Sequence, residues 1–262
     1  MIPQTAITHW RHRAPWPQDA QVEQDLILSR ALVEIFQDSH LSTSLALRGG
    51  TALHKLYAAS ALRYSEDLDF VQRNAGPVGH ILDALRTILD PLLGTPKRER
   101  NPHNVTLRYR VDSEIPPVLP LKFKIEINTR EHFDVFGVVQ QPFTIHSPWY
   151  EGTALITTYS TEELLATKLR ALYQRRKGRD LFDLWTGLKF KAVKPIRIID
   201  AFRQYMKVGR TPITHEGFQR NLDEKLASPA FLNDVPPLLN PTVVYNPREA
   251  ARVITAELLR LL

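Results

Sequence analysis

Apolar positions recur at two periods along the chain, and the change from one to the other sets the expected architecture. Over residues 17–40, Leu28, Leu32, Ile35 and Phe36 follow the i, i+4, i+7, i+8 stripe of a helix packed on a core. "LALRGG" reads as a short strand running into a glycine turn, "TALHKLYAAS" as a helix leaving it, and "EDLDFVQ" as a strand with alternating faces. "VGHILDALRTILD" has helical spacing, while "NVTLRYRV" and "PLKFKIEIN" alternate with period two. The N-terminal part is therefore predicted to mix α and β.

After about residue 145 the helical period dominates. "TALITTY" reads as a last strand; "STEELLATKLRALYQRRK" then opens with Ser160 and Glu163 in capping-box spacing and carries Leu165, Leu169, Leu172 and Tyr173 on one stripe. The chain ends in "NPREAARVITAELLRLL", with Asn246 as N-cap, Pro247 at the first helical position and Glu249 three residues past the cap. Two lobes are expected: an α/β lobe with an N-terminal helix over 1–150, and a basic α-helical lobe over 151–262.

With 262 residues, 43% of them hydrophobic, the chain is long enough to bury real cores. It holds no run of about 18 apolar residues and no basic-then-apolar leader, so neither a membrane span nor a signal peptide is visible and a cytoplasmic location is expected. Cysteine is absent, which removes disulfides, thiolate zinc sites and Cys nucleophiles. The nine histidines show no HxH or HExxH spacing, so zinc is not expected either. Net charge is +6, but residues 160–210 alone carry thirteen Lys or Arg against five Asp or Glu. A surface of that kind attracts phosphate-bearing partners.

The chemistry gathers around "LRGGTALHKLYAASALRYSEDLDF", residues 47–70. Asp67 and Asp69 leave the same face of a strand, while Leu68 and Phe70 point to the other. Two carboxylates that close raise each other's pKa unless a cation stands between them, and hard oxygen ligands on a rigid strand suit Mg²⁺. In "KFKIEIN", Glu126 is a third candidate ligand, on a face shared with Lys122, Lys124 and Asn128. Three carboxylates on neighbouring strands suit a two-metal phosphate chemistry. Gly49 and Gly50 permit close approach of backbone to a triphosphate, Thr51 begins the following helix, and Ser65 shares the face of Asp67. Farther on, Lys168 and Arg175 share a helical face as a candidate phosphate clamp. Asp180 and Asp183 share another, from which they anchor Arg179 or Lys168 or approach the metal site.

A Gly-Gly turn, DxD on the next strand and an acidic residue on a later one resemble the nucleotidyltransferase fold shared with DNA polymerase beta. The three blocks "LRGGTAL…RYSEDLDF", "KFKIEIN" and "EELLATKLRAL…RRKGRDLFDLW" together are similar to the AbiEii/AbiGii family, including MenT-type toxins of type IV toxin–antitoxin systems. The resemblance implies a polymerase-beta-like mixed sheet lobe followed by a helical lobe. Gly49, Gly50, Ser65, Asp67 and Asp69 would carry nucleotide and metal, and Lys168, Asp180 and Asp183 would match the family's later block. It further implies an Mg²⁺-dependent transfer from a nucleoside triphosphate to the 3′ end of tRNA, blocking translation, with a cognate antitoxin as partner. The helical lobe's charge suits such an acceptor. A monomer without membrane association is expected. In this reading Asp67, Asp69 and Glu126 bind metal, Glu126 also orients or deprotonates the attacking hydroxyl, and Lys168 steadies the phosphates. The alternative keeps the pocket but transfers a phosphoryl group to a protein, a small molecule or Ser65 itself. A non-catalytic RNA-binding protein is a third reading, which the intact carboxylate set disfavours.

Overall fold

Seven strands join in one mixed sheet. The computed structural model describes residues 2–262. The elements of the first unit are α1 (Gln4–Trp10), α2 (Asp19–Gln37), α3 (Ser39–Ser44), β1 (Leu45–Arg48), α4 (Gly49–Ala52, running on as a π-helical turn over Leu53–Tyr57), β2 (Asp67–Gln72), α5 (Gly79–Leu93), β3 (Lys97–Arg100), β4 (Asn104–Asp112), β5 (Pro120–Asn128), β6 (Val138–His146) and β7 (Glu151–Tyr159). In space the strands run β3-β4-β5-β2-β1-β7-β6, and neighbours pair antiparallel except β2 with β5 and β1 with β7, which are parallel.

Period-two alternation divides the sheet into two chemically distinct faces. Leu68 and Phe70 of β2, Ile125 and Ile127 of β5 and Leu107 of β4 are fully buried on one of them. There Phe36 of α2 sets its ring 6.0 Å from that of Phe70. The expected stripe of Leu28, Leu32, Ile35 and Phe36 is buried, and so are Leu82, Leu85 and Leu89 of α5. The opposite face of β2 and β5 carries Asp67, Asp69, Lys124 and Glu126.

Two strands escape the sequence pattern, β3 ("KRER") and β6 ("VVQQPFTIH"). Both lie at sheet edges, where half the surface stays wet and burial imposes no alternation. Pro142 inside β6 is tolerated for the same reason. The helix expected from Thr51 starts two residues earlier, at Gly49.

The second unit comprises Ser160–Leu262 and takes in the three residues Val135–Gly137. The sheet thus extends through β7 beyond the position 150 expected as a boundary. Its main helices are α6 (Thr161–Gln174), α7 (Gly178–Gly187), α8 (Pro195–Val208), α9 (His215–Leu226), α10 (Pro229–Leu232) and α11 (Pro247–Glu257). Ser160 caps α6 by accepting from the Glu163 amide, but the Glu163 side chain does not close the box. It accepts instead from the amides of Val135 (2.8 Å) and Phe136 (3.0 Å) and from the Tyr205 hydroxyl (2.9 Å). Asn246 caps α11 as expected, accepting from Arg248 and Glu249.

The C-terminus of α6 is closed by a buried lysine. Lys225 of α9 donates to the carbonyls of Leu172 and Tyr173 and to Asn221 Oδ1. Burial, with Arg176 nearby, pushes its ammonium down to about 8. Lys225→Met is expected to cost about 1–3 kcal/mol at neutral pH, because buried acceptors lose their donor. Between pH 8 and 10.5 the unfolded lysine keeps a proton that the folded one has released, so wild-type stability gains over the variant. Urea denaturation of both proteins across that range should show the gap widening with pH.

Candidate active site

The sheet register assembles the site. Asp69 stands opposite Arg48 on β1 and Glu126 on β5, and Asp67 stands opposite Lys124. Side chains of paired residues leave the same face, so three carboxylates converge on one ammonium. Lys124 Nζ lies 3.1 Å from Asp67 Oδ2, 3.7 Å from Asp69 Oδ1 and 3.7 Å from Glu126 Oε2. Burial works against its charge, but Asp69, Asp67 and Glu126 outweigh this and hold it above the ordinary lysine range. The cation demanded by the DxD pair is thus present within the chain. Glu126 is steered further by Asn104, whose Nδ2 donates to Oε1 at 3.2 Å.

The glycine turn packs against this cluster. Gly49 has φ +80, and a Cβ there would stand 2.6 Å from Asp69 Oδ2. A Cβ on Gly50 would meet the Arg63 guanidinium at 2.2 Å. Thr51 is buried, sharing a hydroxyl–hydroxyl bond of 2.8 Å with Ser65 and donating to the Asp67 carbonyl at 2.5 Å. These two hydroxyls fix the loop to the start of β2. Arg48, next to the turn, pairs with Glu131 at 2.5 Å. Burial opposes the guanidinium's charge, but Glu131 and Asp69 keep it above its ordinary value. Asn128 accepts from the amides of Arg130 and Glu131 and so shapes the loop that carries Glu131.

The donor set fits a hard divalent cation, since three carboxylates already bring oxygens to within 3.7 Å of one point. Among the described residues no group of His, Cys, Asp and Glu forms a ready metal site. Here the lysine ammonium takes the central position.

The remaining expected residues form a second cluster, inside the helical unit. Lys168 Nζ lies 3.1 Å from Asp180 Oδ1 and 2.8 Å from Asp183 Oδ2, and both aspartate side chains are fully buried. Arg175 reaches the same Asp180 with two bonds, at 2.7 and 2.8 Å. Burial alone would raise the Asp180 pKa, but Lys168 and Arg175 reverse this and hold it below its ordinary value. Of the two expected anchoring roles, the aspartates fulfil the one toward Lys168. Arg179 instead faces Asp234, at 3.4 Å.

A family model for the nucleotidyl transferase AbiEii toxin of type IV toxin–antitoxin systems matches residues 30–248. The chain belongs to the AbiEii family. Its fold is similar to that of MenT4, a nucleotidyltransferase toxin from Mycobacterium tuberculosis H37Rv, with a TM-score of 0.72 at 17% identity over 98% of this chain and 90% of that one. It is also similar to JHP933 from Helicobacter pylori, with a TM-score of 0.53 at 20% identity over 94% and 92% of the two chains. No curated protein sequence matches at a significant level. As an AbiEii member, the protein is a nucleotidyltransferase-family toxin of a type IV system, a class that implies an antitoxin partner and a nucleoside triphosphate. None of its helices, among the described residues, is long and apolar enough to cross a membrane.

Sequence reasoning placed Lys124 on the right face but gave it no role. Its signal was the alternation in "KFKIEIN", which sets a lysine two residues before the glutamate. Arg48, Arg63, Asn104 and Glu131 were missed because their partners lie on other elements.

Two variants test the clusters. Gly49→Ala should cost roughly 1–2 kcal/mol from the left-handed backbone and also displace Asp69. Turnover measured well below the melting temperature should then fall more than stability does. Lys168→Met should destabilise by about 3–5 kcal/mol, because two buried carboxylates lose their shared cation. Chemical denaturation measures this, and a loss below 1 kcal/mol would contradict a buried ion-pair role.

Proposed function

We propose that this AbiEii toxin is an Mg²⁺-dependent nucleotidyltransferase that adds nucleotides to the 3′ end of tRNA and so stops translation. The observation that supports the reading best is the in-register convergence of Asp67, Asp69 and Glu126 beside the Gly49–Gly50 turn. Asp67 and Asp69 would hold the divalent ion. Glu126, held by Asn104, would orient the acceptor hydroxyl and take its proton. The bound metal would neutralise charge on the triphosphate and on the departing pyrophosphate. Lys124 draws the three carboxylates toward one point, an arrangement prepared before substrate arrives. Glycine at 49 and 50 lets the Asp69 carboxylate and the Arg63 guanidinium close against the turn, which brings both groups beside the proposed phosphate position.

Lys168 and Arg175 enter this reading through Asp180. Their charges are largely committed to buried carboxylates, so Lys168, Asp180 and Asp183 act first as the internal brace of the helical unit.

Incubating the protein with total tRNA, Mg²⁺ and each labelled nucleoside triphosphate in turn tests the proposal. Label should appear at the tRNA 3′ end, and Asp67→Asn or Glu126→Gln should lower the rate by about 10²-fold or more. Label on protein rather than RNA, or an unchanged rate in Asp67→Asn, would refute it.

A further inference from the structure

Beside the carboxylates, the same sheet face carries a strip of basic side chains. In the register of β4 and β5, Arg110 stands opposite Lys122 and Arg108 opposite Lys124; on β3, Lys97 stands opposite Arg108. All of these project from the face of Asp67 and Glu126, because positions 122, 124 and 126 alternate together and each partner follows its neighbour. Lys97, Arg108, Arg110 and Lys122 are exposed.

Two observations separate this strip from an ordinary solvated surface. Like charges placed directly opposite on adjacent strands destabilise a sheet, yet Arg110 and Lys122 are such a pair. Neither is engaged in an ion pair among the described residues. The nearest compensation is Glu99, which takes Arg108 at 2.8 Å and Lys97 at 3.5 Å, and Asp112, which shares the face two residues beyond Arg110. Cations are also in excess: beside the corner of Asp67, Asp69 and Glu126, the face carries Lys97, Arg108, Arg110 and Lys122 against Glu99 and Asp112. By contrast, in the basic run of residues 175–179 Arg175 is bound to Asp180, and Lys177 and Arg179 face Asp234.

We propose that the strip formed by Lys97, Arg108, Arg110 and Lys122 is the track on which the backbone of the acceptor RNA strand lies, leading its 3′ end to Glu126. The assignment rests on the proposed transfer to RNA and names the surface that would hold it. From Lys124 to Lys97 the row crosses two strand spacings of about 4.8 Å each, while Arg110 and Lys122 extend it along the strands. A single nucleoside triphosphate covers only the end beside the carboxylates. A strand with one charge per nucleotide can touch the whole row, and its phosphates relieve the repulsion between Arg110 and Lys122.

The test uses the full chain with Lys97→Gln, Arg110→Gln and Lys122→Gln combined, and a charge-preserving control, Arg110→Lys with Lys122→Arg. Binding of tRNA is measured across a salt series, and binding of nucleoside triphosphate alone is measured with Mg²⁺. The triple variant, with wild-type circular dichroism, should lose at least tenfold in tRNA affinity at low salt. Its slope of log K against log salt should flatten by about 2, at roughly 0.7 per lost phosphate contact. The control should keep the wild-type slope, and triphosphate affinity should hold in both. Unchanged tRNA affinity and slope in the triple variant, with wild-type labelling of tRNA, would overturn the track and leave the transferase reading standing. Loss of triphosphate affinity with tRNA affinity retained would assign the strip to the nucleotide and overturn it as well. If the wild type neither binds nor labels tRNA, the functional reading falls and the track with it.

Discussion

The contact between Lys124 and three carboxylates is the constraint around which the first unit is organised. Asp67, Asp69 and Glu126 lie on adjacent parallel strands at matching register, so their mutual repulsion would otherwise favour protonation or strand slippage. One ammonium within 3.7 Å of all three offsets part of that repulsion. The arrangement also explains why the strands tolerate so polar a face. The opposite face, with Leu68, Phe70, Ile125 and Ile127, supplies the burial, and the charged face keeps part of its contact with water. The glycine turn follows from the same requirement, since a side chain at position 49 would take the space of the Asp69 carboxylate.

What the sequence disclosed tracks what burial imposes. The helix with Leu28, Leu32, Ile35 and Phe36 and the strands "EDLDFVQ" and "PLKFKIEIN" were legible because each buries one face and repeats its own period. Edge strands β3 and β6 were not legible, since a strand wet on one side and unpaired along one edge has no period to show. The carboxylates of the site could be named from spacing alone, because two aspartates in one apolar strand are costly without a reason. Their partners could not. Lys124 met Asp67 through parallel pairing of β2 and β5, and Asn104 met Glu126 through β4, both long-range registers.

The helical block illustrates a different limit. Lys168, Asp180 and Asp183 attract notice as charged residues near a basic run, and spacing alone suits them to phosphates or to one another. Carboxylates with no exposure require a cation at hand, and Lys168 with Arg175 provides it. A charge consumed in this way sets local geometry more than it attracts a distant anion.

Glu163 adds a consequence for the order in which the chain can be completed. Its carboxylate receives the amides of Val135 and Phe136, residues that precede the last two strands of the sheet. The helical unit is therefore discontinuous in the gene, and a fragment starting at Ser160 would lack two of the donors that its own first helix uses. During synthesis, a three-residue strap made early must stay available until α6 has emerged. A split of this toxin into independently expressed halves would have to carry 135–137 along with the second.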